Sequence, residues 1–226
     1  MEGFILAKNR RAVIFANGDL SDQTFPKGII AGNDLIIAAD GGAEHCRVLG
    51  VVPDYIIGDF DSIDQENLRY FQSKGSEVIR HPADKDYTDL ELAVIHAQSC
   101  GVDEIFVFGG LGNRWDQSIA NILLLASSNF VDLDVRLVEA DQMIRVLRPG
   151  KKHEITGSLG DIVSLIPLGG DATGIRTSGL HYPLDNEELR LGSTRGISNI
   201  LDQAPASVEI RKGILLCLTQ TSGYYD

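Results

Sequence analysis

Apolar positions along the chain follow two grammars that change near residue 140. Before it, short runs that are mostly continuous in apolar character recur at 12–16, 35–39, 55–57, 78–79, 105–108 and 133–138. Continuous rather than alternating runs are expected of strands buried on both faces, as in a parallel sheet. Helix signals stand between them. Ser62 with Gln65 and Thr88 with Glu91 fit capping boxes, and Gly75 and Gly101 sit where helices stop. Leu90, Ala93, Val94 and Ala97 recur at helical spacing, as do Ile119, Ile122, Leu123 and Ala126 after Asp116, which predicts two amphipathic crossovers. Strand and helix in alternation predict an α/β domain with a doubly wound, mostly parallel sheet over residues 1–140.

Beyond residue 140 the pattern is short strands separated by Gly and Pro turns, at 143–147, 153–156, 162–167, 172–177, 208–210 and 214–219, and no long helical period survives. This predicts a smaller, antiparallel β-sandwich over residues 141–226. Composition adds little to that picture. Hydrophobic residues are 43% and charged residues 23%, as in ordinary globular chains. No apolar run approaches the roughly 20 residues of a membrane helix. The first apolar patch precedes Lys8, Arg10 and Arg11, the reverse of a secretory signal. Three separated cysteines with no CxxC pair indicate neither a disulfide framework nor a zinc site, so a reducing, cytoplasmic setting is expected.

Charge changes the picture more. A formal net charge of −12 argues against a nucleic-acid backbone as partner. Acidity alone could serve solubility, so the placement of the acids matters. The loops after the six predicted strands read Asn17-Gly18-Asp19, Asp40-Gly41-Gly42, Gly58-Asp59-Phe60-Asp61-Ser62, 84–89 (Asp-Lys-Asp-Tyr-Thr-Asp), 109–114 (Gly-Gly-Leu-Gly-Asn-Arg) and Glu139-Ala140-Asp141. Five carry an acid; the other carries glycines and Arg114. Ligands of open α/β sheets bind outside these strand ends. In extended geometry Asp59 and Asp61 face the same way and can share a hard cation, and Asp86 and Asp89 flank a helix start. The glycines allow backbone N–H groups to approach phosphate oxygens, and Arg114 offers a fork of donors. Aspartates at strand ends are also ordinary turn and cap residues, and neither GxxxxGK[ST] nor GxGxxG is present. The weight rests on the joint placement at one edge of one sheet.

Those residues, ADGG at 39–42, GDFDS at 58–62, DKDYTDLELA at 84–93, GGLGNRWDQSIAN at 109–121 and GSTRGISN at 192–199, taken in order, resemble the thiamine pyrophosphokinase (thiamine diphosphokinase) family. The resemblance implies transfer of the pyrophosphoryl unit of ATP to the hydroxyl of thiamine with release of AMP. It also implies an N-terminal domain for ATP and Mg²⁺, a C-terminal thiamine-binding β domain, and a homodimer. Carried over by motif, Asp59, Asp61, Asp86 and Asp89 are the metal carboxylates. Asp40, Gly41, Gly42, Thr88, Gly109, Gly110 and Arg114 belong to the nucleotide environment, and Asp89 or Asp116 is the proton acceptor. Tyr182, Ser198 and Asn199 belong to the thiamine side, Tyr182 standing where eukaryotic-type members have Trp. Three other readings remain open on sequence: a pyrophosphokinase for a pterin alcohol, a metal-dependent phosphatase with Asp59 as nucleophile and Asp61 as general acid, and a non-catalytic nucleotide- or thiamine-binding regulator.

Overall fold

A computed structural model describes residues 10–20 and 24–222; the N-terminal stretch read against export lies outside them. The chain falls into two compact units that divide between Ala140 and Asp141.

In the first unit the strands are β1 (Arg11–Phe15), β2 (Leu35–Ala39), β3 (Tyr55–Gly58), β4 (Glu77–Arg80), β5 (Glu104–Phe108) and β6 (Asp134–Glu139). The helices are α1 (Thr24–Ile29), α2 (Gly42–Leu49), α3 (Gln65–Ser73), α4 (Asp89–Ser99) and α5 (Trp115–Leu124). The strands pair in the order β6-β5-β1-β2-β3-β4, every pair parallel. The continuous apolar runs explain the burial. All five residues of β2 are buried, as are four of the five in β1 and in β5, and the rings of Phe15 and Phe108 stack across β1 and β5 at 5.7 Å. The chain winds outward from β1 to β4, then returns to place β5 on the other side of β1. The strand order therefore reverses between β1 and β5, where the loops part and leave a crevice.

Two local details differ from the expected pattern. The cap of α3 is Asp64, whose carboxylate accepts from the Glu66 N–H at 3.2 Å, because the Ser62 hydroxyl donates to Asp61 instead. Thr88 does cap α4, accepting from the Glu91 N–H. Helix α5 turns Trp115, Ile119 and Leu123 outward, 77%, 53% and 52% exposed, so its apolar stripe is not a core face within the chain. Ser118 is its buried residue.

The second unit holds two antiparallel sheets. One pairs β12 (Asn199–Ile200), β9 (Ile162–Pro167), β14 (Leu215–Gln220) and β7 (Gln142–Leu147); the other pairs β11 (Asp185–Leu189), β10 (Ala172–Ser178), β13 (Ala206–Glu209) and β8 (His153–Ile155). Leu147, Val163, Leu165 and Leu215 of the first meet Ile155, Ala172, Ile175 and Val208 of the second in one apolar core, as in a sandwich. Strand β11 escaped the sequence pattern because it reads Asp-Asn-Glu-Glu-Leu. It is an edge strand, where charge discourages pairing with another chain.

Candidate active site

A cleft of about 740 Å³ opens at the carboxyl ends of the first unit's strands, the size class of a small-molecule site. Its floor is built by two backbones in close contact. Ala16 N–H donates to Phe108 O and Gly18 N–H to Gly109 O, both at 2.8 Å, so the loops after β1 and β5 are laced together at the point where strand order reverses. A Cβ on Gly109, which sits at φ +65°, would lie 2.5 Å from Ala16 O. The rest of the β5–α5 loop is tied from below and across. Asn121 donates to Gly110 O at 2.7 Å, Gly112 N–H donates to the Ser118 hydroxyl at 3.1 Å, and Asn113 donates to Asp19 at 2.9 Å.

Three carboxylates converge in this cleft: Asp40 at the end of β2, Asp59 after β3 and Asp89 at the first turn of α4 each bring an oxygen within 4.8 Å of the others. Asp40 is 4% exposed, and its Oδ1 is buried with no hydrogen-bond partner. Burial pushes its carboxyl up from the ordinary value; the Ser62 hydroxyl tempers this, and the charges of Asp89 and Asp59 add to it. A buried carboxylate with an orphaned oxygen, set beside two others, is a costly arrangement unless a cation completes it. The donor set, all oxygen, suits a hard divalent ion.

One cation is already in place. Lys85 Nζ lies 2.8 Å from Asp89 Oδ1 and 3.3 Å from Asp59 Oδ2, and its side chain is 12% exposed. Burial works against its charge, but the two carboxylates prevail and raise its pKa. Asp59 is held below the usual carboxylate range first by the Asp61 N–H and then by Lys85. Arg80 donates to Asp59 O at 2.7 Å and lays its guanidinium over the Phe60 ring, fixing this loop from β4.

The structure brings most of the expected residues together. Asp40, Asp59, Asp61, Thr88, Asp89, Gly109, Gly110, Arg114 and Asp116 all line the cleft. Asp61 lines it without joining the three-carboxylate group: Phe60 is left-handed at φ 68°, so the stretch is a turn rather than the extended segment that would aim both carboxylates alike. Asp86 is exposed and not among the lining residues. Gly41 and Gly42 begin α2 against β1 rather than line the cleft; a Cβ on Gly42 would fall 1.9 Å from Phe15 O. The loop Glu139-Ala140-Asp141 supplies no lining residue. Arg114 makes a forked pair with Asp116 at 2.9 and 2.6 Å, both exposed, which holds the Asp116 carboxyl down at about 2.

Sequence reasoning missed Lys85, Arg80 and the tethers Ser118 and Asn121. The only available signal was for Lys85, a basic residue set among acids four positions before Asp89.

Tyr182, Ser198 and Asn199 lie in the second unit. Tyr182 is 64% exposed, and the His181 ring meets it edge-on at 4.7 Å. Asn199 grips the Tyr182 backbone at both ends, accepting from its N–H at 3.0 Å and donating to its carbonyl at 2.8 Å. Its amide is thus committed to that turn. Ser198 sits at φ 57° and donates its N–H to the Ser164 hydroxyl at 3.0 Å. His181 in turn meets Asp202 at 3.0 Å.

A parallel sheet that gathers carboxylates, a lysine and glycine-floored loops at its switch point defines a class: α/β enzymes that handle phosphate chains. Comparison with known proteins narrows the class. Residues 27–137 match the family model "Thiamin pyrophosphokinase, catalytic domain", and residues 152–215 match "Thiamin pyrophosphokinase, vitamin B1 binding domain". The chain is 32% identical over 187 residues to thiamine pyrophosphokinase of Bacillus subtilis, covering 83% of this chain and 87% of that protein. It is 31% identical to thiamine pyrophosphokinase 1 of Arabidopsis thaliana over 72% of this chain and 64% of the plant protein, which is longer. Among solved structures, thiamine pyrophosphokinase from Bacillus subtilis superposes with a TM-score of 0.84 at 30% identity, covering 94% of this chain and all of that one. The Geobacillus thermodenitrificans enzyme superposes at 0.81 with 26% identity, over 95% and 99%. The chain belongs to the thiamine pyrophosphokinase family.

Proposed function

We propose that this chain transfers the pyrophosphoryl group of ATP to the primary hydroxyl of thiamine, giving thiamine diphosphate and AMP. Its place in the family supports this reading over the phosphatase and regulator alternatives. The observation that carries it is that Asp40, whose carboxylate has a buried, unpartnered oxygen, converges with Asp59 and Asp89 in a cleft that also holds Arg114 and the glycine loop. Asp40, Asp59 and Asp89 would hold Mg²⁺, with Asp61 beside them. When bound, the ion supplies charge neutralisation at the phosphate oxygens, the chief need of phosphoryl-type transfer. The laced backbones of 16–18 and 108–110 provide a fixed floor for the phosphate chain. Arg114, oriented by Asp116, presents its guanidinium at the rim, where charge on the phosphates develops. Asp89 or Asp116 would accept the hydroxyl proton, and Asp116 also orients Arg114. The experiment is AMP release from ATP and Mg²⁺ with thiamine, then a pterin alcohol, as acceptor. Release with the pterin alone would transfer the assignment to the sister activity, and release with neither would overturn it.

Tyr182 is assigned to stack on the flat pyrimidine ring of thiamine. Tyr182→Ala is expected to raise the thiamine KM about tenfold with kcat nearly kept, since one stacking contact amounts to about 1 kcal/mol or slightly more. A residue that merely fills the sheet edge would instead lower the melting temperature and leave KM alone.

The family resemblance also supports a homodimer, and the outward stripe Trp115, Ile119, Leu123 on α5 gives the first unit an apolar surface for it. Charging that stripe with Ile119→Glu and Leu123→Glu is expected to move the sedimentation coefficient at micromolar concentration to that of a monomer. An unchanged coefficient takes α5 out of the interface. Cys46 and Cys217 are buried, and burial raises their thiols. No described helix is long and apolar enough to cross a membrane.

A further inference from the structure

Lys85 sits within the motif at 84–93, where Asp86, Thr88 and Asp89 carry the assigned roles and the lysine carries none. Its ammonium bridges Asp59 and Asp89, two of the three carboxylates that converge in the cleft. With Asp40 the group carries a formal −3, and Lys85 reduces it to −2. Three such charges within 4.8 Å would repel one another strongly in a partly buried setting, so the ammonium is what lets the empty cluster stay closed. Yet the ammonium pairs with two of the same carboxylates that a divalent ion would use. Lys85 reaches the cluster from 81–88, the loop that joins β4 to α4 and also supplies Tyr87 and Thr88 to the cleft. Four rotatable bonds allow its head to swing from the carboxylates to a group bound in the cleft without moving the backbone.

We propose that Lys85 is an exchangeable internal counter-cation: it holds Asp59 and Asp89 together in the empty enzyme, gives way to the divalent ion, and passes its ammonium to a phosphate oxygen of the incoming nucleotide. The inference rests on reading the cleft as the Mg²⁺ and ATP site. It makes two demands of opposite sign. Lysine removal relieves competition for the carboxylates, so the ion alone binds more tightly. It also deletes a phosphate contact, so the nucleotide binds more weakly.

The test is isothermal titration of the full chain, first with Mg²⁺ alone, then with a non-hydrolysable ATP analogue at saturating Mg²⁺, thiamine being absent. For Lys85→Met, affinity for Mg²⁺ alone should rise on the order of tenfold, and affinity for the analogue should fall on the order of tenfold. Lys85→Arg keeps the charge and should leave the Mg²⁺ affinity near that of the parent; it also serves if Lys85→Met fails to fold, since the parent and Arg variant must then show equal competition by added Mg²⁺ for the cluster. Unchanged or weaker Mg²⁺ binding in Lys85→Met, or an Arg variant that binds Mg²⁺ tenfold more tightly than the parent, overturns the exchange. A parent chain that binds neither Mg²⁺ nor the analogue instead overturns the reading of the cleft itself, so the two failures are distinct.

Discussion

Replacing Asp40 with Asn is expected to reduce AMP release by at least about a hundredfold without lowering the melting temperature, because catalysis and stability ask opposite things of this carboxylate. For catalysis, the proposed reading makes Asp40 the buried member of the cation-holding group, and loss of a charged ligand at a reacting phosphate costs several kcal/mol of barrier. For stability, burial and two neighbouring carboxylates already disfavour its charge, as its raised pKa records. Asn has the same shape and tolerates the left-handed backbone at φ 45°. The backbone bonds from Asp40 N–H to Ile57 O and from Ala43 N–H to Asp40 O survive the change. Steady-state rates and thermal melts on the same preparation decide it. Parent-like turnover in a well-folded variant removes Asp40 from the proposed role.

Gly109→Ala should damage the cleft floor severely for one added methyl group. The left-handed φ of +65° costs about 1 kcal/mol or more for a residue with a Cβ, and the new atom would stand 2.5 Å from Ala16 O, so the laced loops must part. Together these amount to about 2–4 kcal/mol, read as a lower urea midpoint, with activity falling alongside it. The neighbouring Gly110→Ala is the control. Its φ is not left-handed, and its Cβ would meet side-chain ends, Leu137 at 3.0 Å and Val107 at 3.3 Å, rather than backbone, so a smaller adjustment suffices. Equal loss in both variants would show that the loop as a whole, rather than the Gly109 contact, is sensitive.

The parallel sheet was legible because buried strands have no polar face to interrupt the apolar run, as at 35–39, where every residue is buried. Strand β11 was not, since an edge strand of the second unit draws its partner from backbone bonds and leaves its side chains to charge. The cleft was legible as a set of loops, because chain direction in a parallel sheet sends every strand end to the same rim. The internal arrangement was not. Period-two reasoning paired Asp59 with Asp61, whereas the left-handed Phe60 turns the segment, and the partners of Asp59 come from residues 40 and 89 through tertiary folding. The apolar spacing of α5 was read correctly as a stripe, but periodicity does not reveal whether a stripe faces inward or outward. Lys85 could be seen in the sequence, but its place between two carboxylates depends on a loop with no regular structure.

The grip of Asn199 on both backbone groups of Tyr182 has a thermodynamic consequence. A turn fastened at its N–H and its carbonyl by one side chain has lost its freedom during folding, so on the proposed reading an arriving pyrimidine ring would meet a tyrosine whose mounting is already rigid. Little ordering penalty is left for the encounter itself, and more of the intrinsic contact energy remains as observed affinity.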